Sequence, residues 1–384
     1  MSILYVGYYT PEELLYEIQR RKINNMSVAR QKYEVNLLTG IIEDNKYDDI
    51  RIVSYVPTDG EISIPAGSEL AGKKVVHFPI NRRSVRSVMK ARKAFSDYLK
   101  SLGKDVLQDL HVVMYEVNPA FLGPILSLKR KYNIKITTLC AELSIFRRSK
   151  KIKYQIRNRI FAHYERKFDA FVLFARPMEE ILKCQNKPNI VVEGIAPEIF
   201  GLPKGKKKNI VMYAGGLGSD NNIKLLIDVC ASIEELDELW ICGTGKDKDY
   251  VENAAKTNPK VKCFGAISNE KVRELEKEAK LLVNLRNPAA QITRYSFPSK
   301  LLEYIASGSL VLSTKLEGIP EEYFDYILTV NSLSEEDVKA AIRNVFAMSE
   351  TEYVSKAKKS QEFIGNTKNK KVQSGKILKF VESI

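Results

Sequence analysis

Short apolar runs recur through the first half of the chain, at Ile3–Tyr8, Ile50–Tyr55, Lys74–Phe78, Leu110–Tyr115, Ile134–Cys140, Ala170–Phe174 and Ile190–Val192. Between several of them the apolar positions change to helical spacing, over Val28–Ile42, Ser84–Leu102 and Tyr154–Phe168. A strand covered on both faces has no solvent side to mark with polar residues. Runs like these, separated by helices of this length, predict a parallel sheet with helices on both faces. The polar stretch Gly201–Asn209 (GLPKGKKKN) has the composition of a linker. After it the rhythm restarts, with strands predicted at Ile210–Tyr213, Glu238–Ile241, Val261–Phe264, Leu281–Asn284 and Leu310–Thr314. Helices are predicted at Asn222–Ser232, Glu270–Glu278 and Ser299–Ser307. The expected architecture is α/β, with two doubly wound parallel-sheet domains over residues 1–203 and 204–360. The tail Thr351–Ile384 is helical in pattern with an interruption at Gly365–Asn366, and residues 361–384 are expected to pack back on the first domain. Two such domains joined by one linker create a cleft, and ligands of open parallel sheets bind beyond the strand C-termini, where βα loops converge.

Composition narrows the function classes. A chain of 384 residues suits two cores, and 44% hydrophobic with 28% charged residues is the balance of a globular protein rather than a disordered one. The start, MSILYVGYYTPEELL, lacks the basic region of a signal peptide, and no apolar run approaches the ~18–20 residues of a membrane span. Five scattered cysteines (Cys140, Cys184, Cys230, Cys242, Cys263) suit reduced thiols in a cytoplasm rather than a disulfide frame or zinc site. His77, His111 and His163 lie far apart and form no ligand cluster. Sixty-one Lys and Arg against 47 Asp and Glu leave a net charge of +14, which favours polyanionic partners: nucleic acid, an anionic membrane face or phosphorylated small molecules. No zinc-finger spacing or nucleic-acid module is present, so nucleic acid is not expected.

The segment Arg294–Pro320, RYSFPSKLLEYIASGSLVLSTKLEGIP, carries the chemistry. Pro298 suits a first helical turn, where its missing N–H costs nothing. The amides of Ser299, Lys300 and Leu301 would then face outward as an anion site, with the Lys300 charge beside them. Glu303 lies one turn beyond Ser299 on the same face, where a carboxylate can accept hydrogen bonds from a sugar diol. Leu301, Leu302, Ile305 and Ala306 form the buried stripe, and Gly308 ends the helix. A phosphate cradle with a ribose-facing carboxylate describes a nucleotide-diphosphate site; the alternative is an ordinary βα unit whose surface carries Lys and Glu.

SFPSKLLEYIASG, followed by a strand and LEGIPEEY, resembles the donor-site signature of retaining GT-B glycosyltransferases, family 4, especially the bacterial members that assemble capsule, exopolysaccharide or O-antigen. The likeness extends upstream. VMYAGGLG is similar to the first strand and glycine turn of their C-terminal domain, which implies Gly215 and Gly216 at the donor. LWICGTG is similar to the next strand and its loop, KCFGAIS to the loop that places Ile267 near the base, and LLVNLRN to the strand that presents Arg286 to the diphosphate. In the N-terminal half, VARQKYEVNLLTGI resembles the family's first helix and VVEGIAPE the strand leading into the linker. The resemblance implies the GT-B fold, with two Rossmann-like domains facing across a cleft, and transfer of a sugar from a nucleotide-sugar, UDP favoured over GDP. The acceptor would be a saccharide or a lipid-linked saccharide. Lys300 and Arg286 would stabilise the leaving diphosphate, which itself takes the acceptor proton in a retaining reaction. No cofactor and no metal are expected, since a helix N-terminus, Arg and Lys can neutralise the diphosphate.

Two departures from the family pattern stand out. The Glu-x7-Glu pair keeps Glu303, but Tyr295 occupies the first position, the one that usually meets the donor sugar. Gly216 and Asn221 stand where related transferases carry Arg and Lys, which leaves the positive charge to Arg286 and Lys300, with Arg294 a further source. Asp247-Lys248-Asp249 is formally the D-x-D metal motif of the other main transferase fold, but it follows a polar GTGK and reads as a solvated helix start. Glu142, at the end of KITTLCAE, either positions the acceptor or binds the donor sugar, or else caps a loop or pairs with Arg147 or Arg148. Phe146–Lys167 carries nine Lys or Arg with Ile152, Ile156, Ile160 and Phe161 at helical spacing. It reads either as a basic amphipathic helix on an anionic lipid surface or as a surface helix packing its apolar stripe inward. The resemblance favours the first, and with it peripheral attachment to the inner face of the plasma membrane. Two rival functions keep the fold but change the chemistry: a non-catalytic nucleotide- or glycan-binding assembly partner, and a nucleotide-sugar epimerase.

Overall fold

The computed structural model describes residues 1–21, 28–44, 49–59, 68–81, 83–143, 152–202 and 205–384. Two compact units emerge: Met1–Phe174, Met178–Ile195 and Lys370–Ile384 form the first, and Ala196–Asn369 with Ala175–Pro177 the second.

The first unit holds strands β1 (Ser2–Gly7), β2 (Ile50–Pro57), β3 (Ser68–Leu70), β4 (Lys73–Ile80), β5 (Leu110–Tyr115), β6 (Lys135–Cys140), β7 (Ala170–Leu173) and β8 (Asn189–Val191). Their order is β3-β4-β2-β1-β5-β6-β7-β8, and every pairing is parallel except the short hairpin β3–β4. The helices are α1 (Glu12–Arg20), α2 (Val28–Glu43), α3 (Val85–Ser101), α4 (Lys104–Gln108), α5 (Pro119–Tyr132), α6 (Ile152–Glu165) and α7 (Met178–Leu182). Ser84 starts α3 by accepting a hydrogen bond from the Ser87 amide at 3.2 Å, which satisfies one of the amides left open at a helix start.

The second unit has β9 (Ile210–Ala214), β10 (Glu238–Cys242), β11 (Val261–Gly265), β12 (Leu281–Asn284), β13 (Leu310–Thr314) and β14 (Leu328–Val330), all parallel in the order β11-β10-β9-β12-β13-β14. Around them lie α8 (Ile223–Ala231), α9 (Lys248–Thr257), α10 (Asn269–Glu278), α11 (Gln291–Arg294), α12 (Lys300–Ala306), α13 (Glu335–Ala347) and α14 (Glu350–Thr367). The last helix, α15 (Lys370–Glu382), belongs to the first unit, where it packs on α2. Residues alternate along β9 between two cores: Val211 and Tyr213 join one, Ile210, Met212 and Ala214 the other. Double burial is the reason these strands read as continuous apolar runs.

The Gly201–Asn209 stretch is not the boundary, because the second unit starts at Ala196. Lys207 within it is buried, donating to the Ala279 carbonyl at 2.8 Å and Ser309 Oγ at 2.6 Å, and burial draws its amine down to about 7. Nor does Gly365–Asn366 interrupt the tail: α14 continues to Thr367 and breaks at Lys368–Asn369. Lys368 is buried there, paired with Glu322. Residues 146–151 of the basic segment, Arg147 and Arg148 among them, lie outside the described residues. In α6 itself Ile156 is 53% and Ile160 47% exposed, while Phe161 is half-buried. Among the described residues no helix is long and apolar enough to cross a membrane.

Candidate functional site

At the C-terminal edge of the second sheet, the loops after β9, β10 and β11 are joined by their backbones. Gly215 donates to the Cys242 carbonyl at 2.9 Å, Leu217 to Thr244 at 3.0 Å, and Gly243 to Gly265 at 2.7 Å. Gly243 has a φ of 137°, and a Cβ there would overlap the Gly215 carbonyl oxygen, so this close approach of two loops requires glycine. The Gly216 carbonyl accepts from Tyr213 Oη at 2.8 Å and from Asn221 Nδ2 at 2.7 Å. Asn221 thus braces the glycine turn. A cavity of about 640 Å³ opens beside these loops, lined among others by Gly243, Thr244, Lys248, Phe264, Gly265 and Ala266. Ile267 follows next in the chain, half-buried against the core. Asp247 precedes α9, donates its amide to the Leu217 carbonyl, and lies 4.0 Å from Lys224. Among the described residues no group of three or more His, Cys, Asp or Glu could hold a metal ion.

Arg286, two residues past β12, donates to Ser296 Oγ at 3.1 Å, and its own carbonyl accepts from Thr314 Oγ1 at 2.7 Å. Burial lowers its pKa, with Tyr213 and Asp220 acting the other way, and the guanidinium stays charged. The start of α12 differs from the expected amide triplet. Ser299 is already in helical conformation (φ −54°, ψ −29°), so the Leu301 amide is taken by the Pro298 carbonyl at 2.8 Å. Among the described residues, the Ser299 and Lys300 amides carry no backbone hydrogen bond. Tyr295 is 7% exposed, its phenol 3.2 Å from Arg294 Nη1, and Arg294 is turned to Glu317 at 2.7 Å.

Lys300 is not a free cation. Its Nζ lies 2.6 Å from Glu303 Oε2 and 3.4 Å from Oε1 of Glu276, a 0% exposed carboxylate on α10. Burial pushes Glu276 up to about 7; Lys300 opposes the rise and Glu303 adds to it. Against burial, Glu303 and Glu276 together raise the Lys300 amine. Glu276 is a residue the sequence reading missed.

The first unit gathers a different set at the ends of β1, β5 and β6. Glu34 of α2 is fully buried. Its Oε2 accepts from the Tyr8 amide at 2.7 Å and from Tyr5 Oη at 3.0 Å, while Oε1 has no partner among the described residues. Gly7 permits this, since a Cβ there would overlap Glu34 Oε2. Burial raises Glu34 to about 7. Glu116, directly after β5, is held at a φ of 54°, a left-handed conformation uncommon for glutamate. It pairs with Arg30 Nη2 at 3.1 Å, and the Arg30 guanidinium lies over the rings of Tyr8 (4.8 Å) and Tyr115 (5.6 Å). Glu142, 60% exposed along its side chain, sits 4.0 Å from the same nitrogen. Of this group only Glu142 was singled out from the sequence; Arg30, Glu34 and Glu116 are brought to it by the fold. The rule that selected Glu142, an acid just past a strand end, selects Glu116 equally well.

Residues 195–370, nearly the whole second unit, match the family model described as Glycosyl transferases group 1. No curated protein matches the sequence. The chain is similar in fold to HepE of Anabaena in complex with UDP and glucose, at 11% identity and a TM-score of 0.63, covering 100% of both chains. It is also similar to the apo lipopolysaccharide outer core galactosyltransferase WaaB, at 13% identity and a TM-score of 0.65, covering 100% of this chain and 99% of that one. A third likeness is to the trehalose-6-phosphate synthase OtsA, at 10% identity and a TM-score of 0.69, with 100% and 99% covered. The fold is that of the GT-B glycosyltransferases, and the group 1 match falls on the segment that carries Arg286, Lys300 and Glu303.

Proposed function

We propose that the protein transfers a sugar from a nucleotide-sugar, UDP-linked rather than GDP-linked, to a saccharide or lipid-linked saccharide in the assembly of a cell-surface polysaccharide. The observation that carries this is the grouping of Arg286, Lys300 and Glu303 with two interlocked glycine loops at one sheet edge, inside the segment that matches the family model. In this reading the base lies by Ile267 and the cavity beside it, and Glu303 accepts from the ribose hydroxyls. Arg286, Lys300 and the Ser299 and Lys300 amides meet the diphosphate. Their charge counts most as the leaving group forms, which raises kcat rather than merely lowering KM. Two cations at the leaving group make a metal unnecessary, and retention follows if the departing phosphate takes the acceptor proton. The acceptor is read at Glu142, Glu116 and Arg30, whose carboxylates suit sugar hydroxyls.

UDP is expected to raise the melting temperature in the presence of EDTA; a ligand at a hundred times its Kd adds about 2.7 kcal/mol. Loss of the shift in EDTA overturns metal independence, and the absence of a shift with either UDP or GDP overturns the donor site. Nucleotide binding without transfer would favour the assembly-partner reading, and interconversion of the nucleotide-sugar the epimerase.

Exposure of Ile156 and Ile160, which flank Arg157 and Arg159, supports attachment to an anionic membrane face. The protein should then bind anionic liposomes at low salt and leave them as salt screens the attraction over about 10 Å at 0.1 M. Arg157→Glu with Arg159→Glu should abolish that binding. No binding by the unaltered chain overturns this part alone.

A further inference from the structure

Glu276 stands where the fold calls for an apolar residue. The buried side of α10 is built from Val272, Leu275, Glu276 and then Ala279, the i, i+3, i+4, i+7 positions of one stripe, and Glu276 is its one charged member. Burying a carboxylate costs several kcal/mol, and replacing such a group by an apolar one is often neutral or stabilising. Its Oε2 finds no partner among the described residues, so the position is not explained by hydrogen bonding of its own. Arg273 on the same helix is engaged elsewhere, over the Phe200 ring at 4.2 Å and at the Glu198 carbonyl. What Glu276 does touch is Lys300 Nζ.

An ammonium has three N–H donors. In Lys300 one is directed to Glu303 and one to Glu276, which leaves one, and two carboxylates anchored on different helices set its direction. We propose that Glu276 is a positioning residue for the donor site: from beneath α12 it holds Lys300 so that the remaining N–H points at the donor diphosphate. This rests on the donor-site reading above. Glu303 has 20% of its side chain exposed and is the carboxylate read as the ribose contact, so it has a second claim on its oxygens. Glu276 has no access to solvent and keeps Lys300 in place when Glu303 engages a ligand.

The test is a double-mutant cycle with the full chain and UDP, or GDP if UDP is not bound, as the probe. Glu276→Gln keeps the shape and an acceptor oxygen but removes the charge. It is expected to weaken nucleotide affinity and kcat/KM about tenfold, with Tm within about 2 °C of the unaltered protein. In a Lys300→Met background the same change should cost less than about twofold, because the partner through which it acts is gone. If Lys300→Met leaves nucleotide affinity unchanged, the donor-site reading falls and the clamp with it. If Lys300→Met loses affinity while Glu276→Gln does not, or if Glu276→Gln costs the same in both backgrounds, the donor site stands and the clamp is overturned. Should the glutamine variant fail to fold, Glu276→Asp withdraws the charge by one methylene. Lower affinity at unchanged Tm then supports the clamp, and unchanged affinity overturns it.

Discussion

Each unit brings carboxylates to the C-terminal edge of its sheet, but in opposite company. In the second unit they surround a cation: Lys300 sits between Glu276 and Glu303, and Arg286 stands on a neighbouring loop. In the first unit the Arg30 guanidinium serves Glu116 and Glu142, with Glu34 buried beside them and tyrosine rings as walls. At the first edge Glu142 is an exposed carboxylate, an acceptor that suits sugar hydroxyls, while the Tyr8 and Tyr115 rings are buried. The second offers fixed positive charge and open amides, which suit a diphosphate. Of the groups named, two cations offset two carboxylates at the second edge, whereas one guanidinium meets three carboxylates at the first.

The largest expected effect tests the cationic edge. Lys300→Ala should lower kcat/KM by about a hundredfold or more, the scale of losing one preorganised charge at a developing anion. Wild-type kcat/KM in that variant would move the donor site elsewhere. Next comes the pH dependence of stability. Glu34 is held at about 7 against an ordinary glutamate value of 4.5, so between these values the folded state keeps a proton that the unfolded state releases. Stability should therefore fall as pH rises from about 4.5 to 7, by roughly 1–3 kcal/mol from this group. Glu276, raised in the same direction, contributes a parallel slope in the other unit. Urea unfolding at pH 5 and pH 8 should show the difference shrinking in Glu34→Gln; an unaltered slope would mean that Glu34 is ionised in the fold. The smallest effect separates the edges. Glu142→Ala, at an exposed position, should raise the acceptor KM about fivefold and leave UDP affinity unchanged. A loss of UDP affinity there would break the division of labour between the units.

Legibility followed burial. The strands Leu110–Tyr115, Leu281–Asn284 and Leu310–Thr314 were read to the residue, because both their faces are covered and the apolar run ends where the strand does. The edge strands β3 and β14, three residues each, leave no run long enough to notice. Helix α5, for which the sequence analysis gives no element, holds Gly123 and Pro124 in its interior, residues that ordinarily weaken a helix.

The amino-acid sequence by itself determined the two-sheet α/β plan, the glycine loops, and the positions of Arg286, Lys300 and Glu303, because these depend on neighbours a few residues apart: strand end, turn, first helical turn. Only the tertiary structure decided that Lys300 is shared by two carboxylates, that the Leu301 amide is spent on Pro298, that Tyr295 is buried, and that Arg30, Glu34 and Glu116 converge. Glu276 and Lys300 are 24 residues apart and Arg30 and Glu116 are 86. At such separations the order of strands in the sheet chooses the partner, and a charged residue in the chain carries no mark of which opposite charge will meet it.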